Sequence, residues 1–130
     1  MLVHALILSS YNKNFMTKFT IDAKGKKLGR VATEVASILM GKNRTDFAKN
    51  IVPKVEVVVT NAAQFDISPK KKEEKEYRRY SGYPGGLRYQ SLEDALIKKG
   101  IREVFRKTVY GMLPTNKLRS IMIKNLFVTE

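Results

Sequence analysis

The sequence predicts a single α/β domain, with helices above and below a sheet. Three observations lead there. The chain has 130 residues, 43% of them hydrophobic, which suffices for one core and leaves no room for a second. Val55, Val57, Val58 and Val59 form a nearly continuous β-branched run, which suits a strand covered on both faces, with helices above and below the sheet. Apolar residues recur at helical spacing on either side of that run, so strands alternate with helices, and this favours α/β layers over a bundle or an all-β barrel.

In chain order, Leu2, Val3 and the run Ala5 to Leu8 are apolar, but no Lys or Arg precedes them, no cleavage pattern follows, and the run is too short to span a bilayer. Residues 1–17 are therefore set apart as an N-terminal extension, poorly ordered or a misassigned start ahead of a true one at Met16, and residues 18–130 form the domain. Phe19 and Ile21 alternate up to Asp22 as a strand, and Lys24 to Lys27 turn the chain. Leu28, Val31, Ala32, Val35, Ala36 and Leu39 have helical spacing, and Gly41 is placed to end that helix in the left-handed conformation. Ser91 begins a capping pattern with Asp94, and Gly100 should stop the helix it starts. Ile101, Val104, Phe105 and Thr108 then share one helical face, Arg102, Arg106 and Tyr110 another, with Gly111 and Pro114 ending the segment. Asn116 is positioned to cap a last short helix through Ile121 and Met122, and Leu126 to Val128 close as a strand.

Charge narrows the function. Lys and Arg number 25 against 12 Asp and Glu, a formal net charge of +13, and such self-repulsion is best explained by a polyanionic partner, of which nucleic acid is the commonest. An anionic membrane is the rival partner, but binding of that kind usually comes with a basic amphipathic helix or a lipid anchor, and neither end carries a lipidation motif. Catalysis has little to work with. There is no cysteine and one histidine, His4, so thiolate chemistry, a His relay and a multi-His metal site are excluded, and no metal or cofactor is expected. Asp22, Glu34, Asp66 and Glu103 are scattered, Gly25 to Gly29 lacks the phosphate-loop pattern, and Ser81 lacks the glycine of a nucleophile elbow.

The densest basic stretch is Lys70, Lys71, Lys72 and Lys75 interleaved with glutamates, then Tyr77, Arg78 and Arg79. A charge run alone is usually a solvated face. Here it runs straight into Tyr80, Ser81, Gly82, Tyr83, Pro84, Gly85 and Gly86, followed by Arg88. The glycines free the backbone for close approach, Pro84 stiffens the loop, the tyrosines offer flat faces and hydroxyls, and the arginines offer planar phosphate forks. The competing reading is a tight glycine turn whose tyrosines complete the core. A second basic group, Lys24, Lys26, Lys27, Arg30, Lys42 and Arg44, surrounds the first helix. A third holds Lys98, Lys99, Arg102, Arg106, Lys107, Lys117 and Arg119, with Asn116 beside it. Charge spread over several loops suits a folded RNA better than a duplex read by one helix.

Three blocks carry a family resemblance: Asp22-Ala23 with Leu28-Gly29-Arg30, Ala32, Ala36, Leu39 and Gly41-Lys42; Ser81-Gly82-Tyr83-Pro84-Gly85-Gly86; and Gly111-Met112-Leu113-Pro114 with Asn116 and Leu118. In that order and spacing the chain resembles the large-subunit ribosomal protein L13 family, in its bacterial form, over nearly all of Lys18 to Val128. The resemblance implies a three-layer α/β/α single domain with a four-stranded, mainly parallel sheet. It also implies a cytoplasmic, non-catalytic component of the large ribosomal subunit that binds its RNA, adjoins other large-subunit proteins, acts early in assembly and takes no small-molecule substrate. An RNA-binding translational regulator acting off the ribosome is the alternative. Departures are Tyr80 where many members have His, Ile67-Ser68 in place of Thr-Gly, Asn50 to Lys54 without an Asp-x-Gly-Asp element, and a chain ending at Glu130 without the usual His-containing tail.

Overall fold

The computed structural model describes residues 16–130, and the apolar stretch before Met16, with His4, lies outside the described residues. Strand β1, Thr17–Asp22, ends in a side-chain-locked turn: Asp22 Oδ1 accepts from the Lys24 amide at 3.0 Å and from Asn61 Nδ2 at 2.8 Å, the local bonding that makes Asp a turn residue. Helix α1, Leu28–Met40, buries the six predicted apolar positions. It stops at Gly41, whose φ of 77° is left-handed, while the amides of Gly41 and Lys42 donate to the carbonyls of Ile38 and Ser37, satisfying carbonyls the helix would otherwise orphan.

Strand β2, Val55–Thr60, lies centrally between β1 and β5, Leu126–Val128, in a parallel sheet ordered β1-β2-β5. Phe19, Val57 and Leu126 sit side by side in register, as do Thr20, Val58 and Phe127. The sheet thus has three strands among the described residues rather than four. The remaining strands, β3 (Glu76–Tyr80) and β4 (Leu87–Ser91), form a separate antiparallel hairpin. Arginines stand on both faces of this ribbon, Arg78 on one and Arg79 with Arg88 on the other, so neither face suits a sheet interior.

The valine run also differs from expectation. Val55, Val57 and Val59 are buried, but Glu56, Val58 and Thr60 are only half-buried. On that second face Lys18, Thr20, Asp22 and Phe127 remain exposed. Among the described residues, then, the core lies on one face of the sheet, and the second helical layer is not seen. Strand β2 reads as alternating, as a half-covered sheet requires.

Helix α2, Pro69–Glu74, was not anticipated within the charge run, although Ser68 followed by Pro69 at the first helical position is a recognisable start. Helix α3, Leu92–Met112, begins as expected, with Ser91 Oγ accepting from the Asp94 amide at 3.1 Å. Gly100, at φ 80° and ψ 168°, breaks it into two helical runs. The second run passes through Gly111 and ends at Met112, with the Leu113 amide donating to the Val109 carbonyl. Its inner face holds Val104, Phe105 and Val109, packed with α1 and the inward strand residues. Phe105 is fully buried and stacks on Phe65 with ring centroids 5.0 Å apart. Its burial stabilises the fold by about 1.5–3 kcal/mol. Helix α4, Arg119–Met122, follows. Asn116 does not cap it directly: its Oδ1 accepts from the Leu118 amide at 3.1 Å and its Nδ2 donates to the Lys49 carbonyl at 3.2 Å, tying two loops together.

Candidate nucleic-acid interface

Hairpin β3–β4 carries the glycine loop at its tip. Arg78 faces Tyr89, Arg79 faces Arg88, and Tyr80 faces Leu87. Opposed residues of an antiparallel pair lie on one side of the ribbon, and consecutive residues lie on opposite sides. Arg78, Tyr80, Leu87 and Tyr89 therefore share one face, and Tyr77, Arg79, Arg88 and Gln90 share the other. The tyrosines do not complete a core: Tyr80 is 64% exposed, Tyr83 75% and Tyr89 58%. Only Tyr77 turns toward the body, where burial pushes its phenol above the usual range despite a hydrogen bond to Thr108.

The loop requires its glycines at particular points. Gly82 and Gly85 have φ of 88° and 72°, the region L side chains avoid. Gly86 has an ordinary φ, but a Cβ there would collide with Ser81 Oγ and lie 2.9 Å from the Tyr83 carbonyl oxygen. Pro84 lies between these glycines. Arg79, Ser81, Gly86 and Arg88 line a concavity of about 330 Å³.

Lysines collect at the base of the hairpin. Lys107 Nζ sits 4.1 Å over the Tyr77 ring and Lys75 Nζ 5.7 Å from it. Burial there, then the neighbouring Lys99, holds the Lys107 ammonium pKa below its ordinary value. Lys27, Lys71 and Lys75 line an adjoining cavity of about 350 Å³ with Leu28, Val104 and Thr108. Among the described residues one carboxylate, Asp66, stands on its wall, and it is ion-paired to Lys27, so these residues offer no acid and base pair aimed at a ligand.

The group around α1 is not one cluster. Lys26, Lys27 and Arg30 stand at its start and Lys42 and Arg44 beyond its end, about 20 Å apart along a 13-residue helix. Arg44 is forked onto Asp46 at 3.0 and 3.1 Å. Lys42 shares a groove with Lys49 and Pro114, and the Lys49 carbonyl accepts from Asn116, the residue before Lys117. Arg119 donates to the Tyr110 carbonyl at 2.7 Å and lies over the Tyr110 ring, and Lys70 pairs with Glu74 at 3.7 Å. No ion pair engages Lys26, Arg30, Lys42, Lys71, Lys72, Arg78, Arg79, Arg88, Arg106 or Lys117 among the described residues. Tyr89 and Leu87 escaped the sequence reading. Strand alternation beyond the glycine loop is the signal that finds them.

Among the described residues no three His, Asp or Glu gather to hold a metal, and no helix is long and apolar enough to cross a membrane. The family described as Ribosomal protein L13 matches residues 16–130. The chain is 46% identical to the large ribosomal subunit protein uL13 of Clostridioides difficile (strain 630) over 110 residues, 85% of this chain and 76% of that protein. To its counterpart in Thermus thermophilus it is 46% identical over 108 residues, covering 83% and 76%. To that of Chlorobium phaeobacteroides (strain BS1) it is 43% identical over 110 residues, covering 85% and 73%.

Proposed function

The chain belongs to the ribosomal protein L13 family, and from that premise we propose that it is a structural, non-catalytic constituent of the large ribosomal subunit that binds the subunit's RNA. The observation that supports RNA contact most directly is hairpin β3–β4. It exposes Arg78, Arg79 and Arg88 without acidic partners among the described residues, together with Tyr80, Tyr83 and Tyr89. Arginines fork onto phosphates and tyrosines stack on unpaired bases. The lysines at the hairpin base extend the phosphate surface toward the start of α1, and Lys42 and Lys117 offer a second contact. Neutralising phosphates that otherwise repel lets RNA segments close together, which is how such a protein supports early assembly beside neighbouring subunit proteins.

The test is salt-titrated binding of the full chain to large-subunit ribosomal RNA, with small-subunit RNA and duplex DNA as competitors. Large-subunit RNA should win at every salt, and affinity should fall by about a thousandfold or more between about 50 and 200 mM, as six or more phosphate contacts require. Equal competition by all three would reduce the interaction to charge and leave an off-ribosome RNA target open.

A further inference from the structure

Arg79 and Arg88 present a local electrostatic problem. They are directly opposed across the β3–β4 ladder, where side chains stand about 5 Å apart at Cβ and like charges destabilise the pair. No carboxylate is ion-paired to either among the described residues. Between them and the turn lies the concavity of about 330 Å³ that they line with Ser81 and Gly86. Gly86 permits the turn to close on Ser81, since a side chain at that position would meet Ser81 and the Tyr83 carbonyl. Two planar cations, a hydroxyl and a backbone without side-chain cover therefore meet at one small hollow. Arg78, one residue away, is on the opposite face against Tyr89 and takes no part.

We propose that Arg79 and Arg88 jointly hold a single phosphate of the RNA backbone, with the Ser81 hydroxyl as a third donor. This rests on the reading that the chain binds large-subunit RNA, and it divides the hairpin into a phosphate face and a stacking face. One phosphate between two guanidinium forks accepts bidentate hydrogen bonds from both sides and removes the repulsion that the free protein carries.

The number of phosphates held is measurable, because each neutralised phosphate contributes about 0.7 to 0.9 to the slope of log affinity against log salt. The R79A/R88A chain should bind large-subunit RNA more weakly, with a slope shallower than wild type by about 0.7 to 0.9, a difference of about threefold in the affinity change between about 50 and 200 mM. A slope unchanged from wild type overturns the site. A slope shallower by about twice that amount means two separate phosphates and overturns the shared one. R79K/R88K keeps both charges but loses the forks, so its slope should match wild type while its affinity falls. Free of RNA, R79A/R88A should unfold in urea at a midpoint no lower than wild type, since a repulsive pair is gone; a clear drop would contradict the strain argued here. Failure of the RNA reading itself is seen separately, in a wild-type chain that does not prefer large-subunit RNA.

Discussion

At the level of single residues, hydrogen bonding decides which charges are available. The Asn61 side chain first, and the Lys24 amide second, hold the Asp22 carboxyl below its ordinary value of 3.8. A carboxyl with a lowered folded pKa binds its proton later in the native state than in the unfolded chain. Its stabilising contribution is therefore complete above the unfolded value and is lost as pH falls through the lowered one. Asp22→Asn should leave a chain whose urea midpoint declines less steeply below about pH 4 than that of wild type. Parallel declines would mean that the turn contributes nothing to acid sensitivity. The same scale shows what a sequence conceals. Arg44 and Lys27 look as available as Arg79 when read along the chain, yet Arg44 is forked onto Asp46 and Lys27 is paired with Asp66. Asp46 is two residues from its partner, but Asp66 reaches Lys27 only through tertiary structure. Asn116 was expected at the RNA and as a cap, and both ends of its amide are used within the protein.

Elements were legible where periodicity and a terminating residue agreed. Helix α1 has both, a six-position apolar stripe and a left-handed Gly41. The Ser91 cap and the Gly100 break were legible for the same reason. Gly100 also supports a prediction whose sign separates two accounts. Within a regular helix, Gly→Ala stabilises by about 0.5–1 kcal/mol. At φ 80° and ψ 168°, a region almost exclusive to glycine, a side chain costs about 1–3 kcal/mol. Gly100→Ala should therefore lower the urea unfolding midpoint, and a raised midpoint would mean that α3 runs through position 100 unbroken. Elements were illegible where composition masked period. Val58 sits among valines, so a half-buried position looked fully buried. The Lys and Glu of α2 looked like a solvated charge run. In β3 the adjacent arginines looked like one patch until pairing with β4 put Arg78 and Arg79 on opposite faces. A site made by strand alternation needs the strand to be recognised first.

Across the whole molecule, the net charge of +13 is set against ion pairs that are individually weak. Each of the five among the described residues has at least one partner with more than half of its side chain exposed, and such pairs contribute about 0–1 kcal/mol. Repulsion among unpaired lysines and arginines should therefore dominate the electrostatics of the free protein. Added salt shortens the screening length from about 10 Å at 0.1 M to about 3 Å at 1 M, and this relieves repulsion more than it weakens exposed pairs. Sodium chloride should raise the melting temperature of the free chain; sulfate is unsuitable, because it also strengthens apolar burial. Bound to large-subunit RNA, the chain should respond with the opposite sign, because salt weakens a complex held by counterion release and removes the stabilisation that a ligand confers on the folded state. Thermal unfolding with and without RNA over one salt series tests both arms. A melting temperature that falls with salt in both states would mean that the exposed pairs outweigh the repulsion, and that the charge of this surface does not by itself require a polyanion.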